Sequence, residues 1–159
     1  MISKIVNTEN DTAMLLVRLV LGGVMFPHGA QKLFGWFGGF GFHGTMGFFT
    51  STMGIPWIFA LAAILAESLG AMALILGFCT RVAAAAIAIN MVVAVLTSHL
   101  QSGFFMNWFG NQKGEGFEYH LLALGLAGAL MIKGGGKASI DFALTRSHPA
   151  LALKQAQRL

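Results

Sequence analysis

Four long apolar stretches dominate the chain, and polar or glycine-rich segments separate them. The stretches run over residues 12–34, 56–78, 81–100 and 117–132. A hydrocarbon core about 30 Å thick is crossed by roughly 20 apolar residues in a helix. The fourth stretch is short, and its polar start is expected to extend it at the interface. The pattern therefore predicts an all-α fold, an integral membrane bundle of four transmembrane helices.

Two long segments between the predicted spans are rich in glycine and aromatic residues. They cover residues 35–55, between the first two spans, and residues 101–116, between the last two. Aromatic side chains are enriched at membrane–water interfaces, so one interpretation is an anchoring belt. The other is a pair of flaps folded over the outer mouth of the bundle. The sequence leaves both interpretations open.

The distribution of lysine and arginine predicts the orientation of the bundle. The side that holds both termini carries the larger set of basic residues: Lys4, Arg81, Lys133, Lys137, Arg146, Lys154 and Arg158. The opposite side carries Lys32 and Lys113. Cytoplasmic segments hold the excess of Lys and Arg in membrane proteins, so both termini are predicted to be cytoplasmic. Residues 1–144 are predicted to form the membrane domain, and residues 145–159 a short basic cytoplasmic tail.

The composition supports a membrane location and excludes several classes of function. Apolar residues make up 56% of the 159 residues and charged residues only 10%, against about a quarter in soluble domains. The net charge is +4, but the basic residues stand singly at span ends, so a nucleic-acid partner is not expected. A single cysteine, Cys79, excludes an internal disulfide. The polar N-terminus lacks a signal-peptide pattern, and the first span is predicted to be retained.

Two ionisable residues lie inside the predicted spans, where charge is costly and usually paired. At a rise of 1.5 Å per residue, Arg18 lies roughly 9 Å from the inner edge and Glu67 about 16 Å below the outer edge. Their depths then differ by about 5 Å, within reach of an arginine side chain. We predict an Arg18–Glu67 ion pair, which serves either as a structural clamp between helices or in function.

The outer half of the bundle collects a second set of polar residues. They are His28 and Lys32 in the first span, His99 at the end of the third, and Glu118 and His120 at the start of the fourth. Each histidine alone is consistent with an interfacial residue. Their grouping at one depth, with Glu67 beneath, predicts a polar pocket that faces outward.

Histidines beside carboxylates move protons near neutral pH, and quinone chemistry needs such groups together with an apolar cleft. The predicted catalytic residues are Glu67, His28 and His99. The predicted substrate-binding residues are Arg18, Lys32, Gln31, Glu118 and His120. Neither a metal nor a haem is predicted. No His-x-x-His or Glu-x-x-His spacing supports a metal site. A b-type haem needs two histidines that face each other across the bundle, which the histidine depths permit without indicating it.

Three motifs resemble the DoxX family. They are RLVLGGVMFPHGAQKLFG at residues 18–35, AESLGAMALILGFCTRVAA at residues 66–84 and GGGKASID at residues 134–141. Members of that family are small four-span proteins of the bacterial inner membrane, described as oxidoreductases and related to a thiosulfate:quinone oxidoreductase subunit. The resemblance implies that this chain also lies in the bacterial inner membrane and acts with partner redox proteins. It also marks as motif positions Arg18, Gly29, Lys32, Glu67, Thr80 and Arg81, of which Gly29, Thr80 and Arg81 have structural roles.

The leading hypothesis is a membrane redox component that binds a quinone or small reductant in the outer half of the bundle and acts with partner proteins. Whether the chain is itself an enzyme stays open, because the sequence supplies no evident redox centre. One alternative is a non-redox binding or transport module, which would need to form a homo-oligomer because four helices are few for a transporter. Another is a structural subunit whose polar residues lock the helices together.

Overall fold

The long apolar stretches form long helices. The computed structural model describes residues 5–147, and this part of the chain contains helices and no strand. The α-helices that lie wholly within it are α1 (Thr12–Phe34), α2 (Gly41–Gly47), α3 (Trp57–Leu76), α4 (Thr80–Ala94), α5 (Glu118–Lys133) and α6 (Ile140–Ser147). The predicted all-α class is confirmed.

Helix α1 has clear start and stop signals. The Asp11 carboxylate caps its first turn, accepting hydrogen bonds from the backbone N–H groups of Ala13 and Met14 at 2.8 and 3.2 Å. The helix ends at Gly35, whose φ of 75° is a left-handed conformation that glycine adopts without strain. Pro27 lies inside the helix without ending it.

Three helices are long and apolar enough to cross a membrane among the described residues: Thr12–Phe34, Trp57–Leu76 and Thr80–Ser102. The third is α4 together with its continuation as a π-helical turn at Val95–His99 and a 3-10 turn at Leu100–Ser102. Helix α5, with 16 residues, is shorter. Helix α1 packs on α3, α3 on α4, α4 on α5, and α5 on α1, so these four helices form a closed ring around the core.

The antiparallel contact between α1 and α3 is close because α1 carries glycines where it meets α3. A Cβ atom placed on Gly29 would lie 2.4 Å from the Glu67 carbonyl oxygen, and one on Gly22 would lie 3.1 Å from the Ala71 carbonyl oxygen. A side chain at Gly29 would therefore force the two backbones apart. This contact leaves no room for a side chain at Gly29. It also fixes the position of Glu67 along the bundle axis relative to the outer half of α1.

Arg18 does not pair with Glu67, and the predicted ion pair is wrong. The Arg18 guanidinium donates to the carbonyl oxygens of Leu74 and Ile75, at the C-terminal end of α3, at 3.0 and 2.5 Å. It also donates to carbonyls of the segment before α6: Gly135, Lys137 and Ala138. The side chain therefore points toward the end of the bundle where α3 ends and α4 begins, which the sequence predicts to be the inner end. There the guanidinium N–H groups bind backbone carbonyls at the end of α3 and in the segment before α6.

The inner end is further stabilised by Asp141 and Arg81. The Asp141 carboxylate accepts from the backbone N–H groups of Cys79 and Thr80, both at 2.8 Å, and so caps the start of α4. Arg81 donates to the carbonyls of Met131 and Ile132 at the end of α5, and to Asn7. Each charge thus lies at the helix end whose dipole it complements.

The predicted boundary between residues 144 and 145 falls inside α6. Thr145 is fully buried and donates to the Val6 and Asp141 carbonyls at 3.0 and 2.8 Å. The remainder of the predicted tail, residues 148–159, lies outside the described residues, as do Met1 to Lys4.

Candidate functional site

A cavity of about 330 Å³ lies at the end of the bundle opposite Arg18. Helices α1, α3, α4 and α5 form its walls, and both long outer segments contribute to its lining. The volume lies at the lower end of the range of small-molecule sites. Its polar lining includes His28, Lys32, Glu67, Asn90, His99, Tyr119 and His120.

Glu67 is the central charged group of the cavity. Its Oε2 atom lies 2.5 Å from the Lys32 ammonium, and its Oε1 atom accepts a hydrogen bond of 2.6 Å from the Asn90 amide. Its side chain is only 8% exposed, and that of Lys32 is 25% exposed. Three helices thus converge on one carboxylate: α3 supplies it, α1 supplies the cation, and α4 supplies the amide. A carboxylate this buried is compatible with an apolar setting because it has a counter-ion and a second donor.

Four aromatic rings line one side of the cavity in sequence. The centroid of His28 lies 6.2 Å from that of Tyr119, Tyr119 lies 5.5 Å from His120, and His120 lies 4.2 Å from His99. The Nδ1 atom of His99 is 2.9 Å from the Glu115 carbonyl oxygen, in the second outer segment. The row therefore extends from the Glu67 side of the cavity to its outer rim.

Both π-helical turns of the described chain contribute to the cavity. The turn at Phe48–Thr52 supplies Phe48 and Phe49, and the turn at Val95–His99 supplies Thr97, Ser98 and His99. A π-turn inserts an extra residue into a helix, redirects the side chains beyond it and frequently occurs at functional sites. The first outer segment thus supplies part of the cavity lining, and the choice between an anchoring belt and a flap stays open.

The structure gathers five of the predicted site residues at this cavity and places the others elsewhere. Those at the cavity are Glu67, His28, His99, Lys32 and His120. Arg18, Thr80 and Arg81 lie at the inner end, where they make helix-end contacts. Gln31 lies in a neighbouring cavity of about 270 Å³ and donates to the Phe37 carbonyl at 3.3 Å.

Glu118 holds the second outer segment in place. Its Oε1 atom accepts hydrogen bonds from the Met106 backbone N–H at 2.9 Å and from the Trp108 indole N–H at 3.0 Å. The carboxylate is thus engaged by this loop, and Glu118 does not line the cavity.

Asn90 and Tyr119 line the cavity but were missed by the sequence reasoning. Asn90 had a usable signal, since it is an amide within an otherwise apolar span, where polar side chains usually bond across helices. Tyr119, the chain's single tyrosine, lies between Glu118 and His120. Those two residues were predicted because they are ionisable near neutral pH, and Tyr119 was not. In the described residues no three His, Cys, Asp or Glu side chains are arranged to hold a metal ion.

Comparisons with known proteins identify similar sequences. The family model described as DoxX matches residues 13–100, a range that includes α3, α4 and all but the first residue of α1. The chain is also 29% identical over 101 residues to "Putative oxidoreductase CatD" of Bacillus subtilis (strain 168), an alignment covering 64% of this chain and 70% of that protein. No solved structure matches the chain.

Proposed function

Because the chain belongs to the DoxX family, we propose that it is a multi-pass membrane redox component that binds a quinone or quinol in the cavity around Glu67. The observation that carries the proposal is the Lys32–Glu67–Asn90 cluster in the wall of a largely apolar cavity. A quinone headgroup needs an apolar slot for its ring and polar groups for its oxygens. The relative from Bacillus subtilis, whose name is "Putative oxidoreductase CatD", supports the same class of chemistry.

The side chains of the cavity have defined roles in this proposal. Reduction of a quinone to a quinol consumes two electrons and two protons, and the reverse reaction releases them. Glu67 and His28 exchange protons with the ligand oxygens, since carboxylates and imidazoles serve as acids and bases. His99, at the outer rim, exchanges protons with water. A small reductant or a partner redox protein supplies or accepts the electrons.

The proposed topology has four spans in the bacterial inner membrane with both termini in the cytoplasm. Helix α5 completes the ring formed with the three longer helices, and the positions of Arg81, Lys133 and Lys137 support a cytoplasmic inner end. The cavity then faces the outer side of the membrane. Reporter domains fused after Ser147 and inserted at Gln112 test this arrangement. Activity of a cytoplasmic reporter at Gln112 would refute it.

Ligand retention by the purified protein tests the function. The full chain is extracted gently from a quinone-containing membrane, and bound quinone is quantified by native mass spectrometry and lipid extraction. Wild type should retain quinone, and Glu67→Gln should lose most of it while keeping its helical circular dichroism. Glu9→Gln, a change of an exposed carboxylate, is the matched control and should behave as wild type. A folded wild-type protein that binds no added quinone would rule the proposal out.

A second candidate function is small-molecule passage without redox chemistry. The neighbouring cavity shares Lys32, Phe48 and Phe49 with the main one, so the two spaces adjoin along one wall. This arrangement suits a ligand that enters sideways through the first outer segment. Uptake into proteoliposomes that is lost in Glu67→Gln, without any effect of the protein on quinol turnover, would favour this candidate.

A further inference from the structure

Two polar atoms on adjacent residues of the cavity lining have no hydrogen-bond partner. They are the Tyr119 hydroxyl oxygen and the His120 Nδ1 atom, and both are buried. His120 is only 6% exposed as a residue, and both residues line the cavity. Buried hydroxyl and imidazole groups are nearly always hydrogen-bonded in native proteins. Two buried polar atoms without a hydrogen-bond partner indicate that the partner comes from outside the chain.

Several other polar groups around the cavity have partners within the protein. The Thr97 hydroxyl donates to the Val93 carbonyl at 2.8 Å, and both Glu67 oxygens are engaged. His99 is bonded through Nδ1 to the Glu115 carbonyl. Among the described residues that line the cavity, the buried polar atoms without a partner therefore lie on the first turn of α5. The adjoining cavity is the space from which a ligand can reach them.

We infer that Tyr119 and His120 bind an oxygen atom of the ring headgroup that occupies the cavity, with the Tyr119 hydroxyl as the donor. The inference rests on the proposed function. A tyrosine hydroxyl both donates and accepts, and an imidazole nitrogen does either according to its tautomer. The pair therefore bonds a quinone carbonyl through Tyr119 and accepts from a quinol hydroxyl through His120. It selects oxygen-bearing planar rings over hydrocarbon rings of similar size.

Substitution of Tyr119 by phenylalanine removes only the hydroxyl. Decylubiquinone is the probe, titrated into the full chain in detergent, and decylbenzene is the comparison ligand without ring oxygens. Tyr119→Phe should weaken decylubiquinone binding about tenfold, the equivalent of one lost hydrogen bond of 1.4 kcal/mol. Binding of decylbenzene should not change. The matched control is Thr50→Val, which removes a hydroxyl that donates to the Met46 carbonyl at 2.8 Å and lies outside both cavities, and it should leave both affinities unchanged.

A second pair of variants tests the imidazole. His120→Phe should weaken binding of the reduced probe more than that of the oxidised probe, since its acceptor serves the quinol. The control His43→Phe alters an exposed histidine outside the cavity and should have no effect.

The outcomes separate this inference from the proposed function. Wild type that binds decylubiquinone, with Tyr119→Phe binding it equally well, would overturn the inference and leave the proposed function standing. Equal losses for decylubiquinone and decylbenzene in Tyr119→Phe would show a packing effect and would also overturn it. Wild type that binds no decylubiquinone would overturn the proposed function itself.

Discussion

Lys32 Nζ and Glu67 Oε2 lie 2.5 Å apart across the contact between α1 and α3. Lys32 lies three residues after Gly29, at which an added Cβ would lie 2.4 Å from the Glu67 carbonyl oxygen. Residues i and i+3 share a helix face, so Gly29 and Lys32 both face α3. The close packing at Gly29 therefore brings Lys32 within reach of Glu67.

Removal of Lys32 should destabilise the protein more than removal of both charges. Lys32→Met leaves a carboxylate in the wall with Asn90 as its hydrogen-bond donor, and breaking a buried pair by losing one partner costs about 3 to 5 kcal/mol. The partial exposure of Lys32 places the expected loss at the lower end of this range. Lys32→Met combined with Glu67→Gln removes the stranded charge and should recover much of the loss. Thermal unfolding in detergent measures both. A double variant less stable than Lys32→Met would contradict the prediction.

Substitution of Gly29 by alanine should separate α1 from α3. The added Cβ would lie 2.4 Å from the Glu67 carbonyl oxygen and 2.5 Å from the Ser68 Cα atom. Overpacking of this kind costs about 1 to 3 kcal/mol, and ligand binding should weaken because Lys32 and Glu67 move apart. The control is Gly23→Ala on the same helix, where the added Cβ meets nothing within 4 Å. Gly23→Ala should be neutral or slightly stabilising. Equal stability of the two variants would contradict this account.

Arg18 should be needed for folding and not for ligand binding. Arg18→Gln leaves the carbonyls of Ile75 and Gly135 without the Arg18 donor, and each buried unpaired group costs about 1 to 3 kcal/mol. Unfolding temperature should fall clearly, while quinone bound per folded molecule stays at the wild-type level. The control Arg146→Gln changes an exposed arginine and should alter neither. Loss of binding in folded Arg18→Gln would restore the substrate-binding role that the sequence predicted for Arg18.

The sequence predicted the long helices closely because apolar run length is a local signal. Helix α1 covers the residues predicted, 12–34, and α3 covers Trp57–Leu76 against the predicted 56–78. The grouping of His28, His99 and His120 at one depth also followed from position along each span. Each of these inferences needs only the rise per residue, which is constant along a helix.

The hydrogen-bond and ion-pair partners of the charged groups could not be predicted from the rise per residue. Depth does not give the direction of a side chain, and an arginine is long enough to reach either way along the helix axis. The carbonyls that bind Arg18 belong to the end of α3 and to the segment before α6, and their positions are known only when the helix ends are known. Asn90 was missed because it is uncharged, although its amide completes the Glu67 cluster.

Cys79 should react slowly with thiol reagents, and Asp141 should be part of the reason. Burial raises the pKa of the Cys79 thiol, and the nearby Asp141 carboxylate raises it further. The thiolate is the reactive form, and its fraction at a fixed pH below the pKa increases as the pKa falls. Asp141→Asn removes the negative charge, so the pKa should fall and the reaction with a small maleimide at pH 7.5 should accelerate.

Measurement of the rate between pH 7 and pH 10 separates the effect of a lower pKa from that of greater exposure of the thiol. A lower pKa shifts the whole profile to lower pH, whereas greater exposure raises the rate at every pH without shifting it. Glu9→Gln is the control for loss of a distant carboxylate and should leave the profile unchanged. An unshifted profile in Asp141→Asn would show that burial alone sets the reactivity of Cys79.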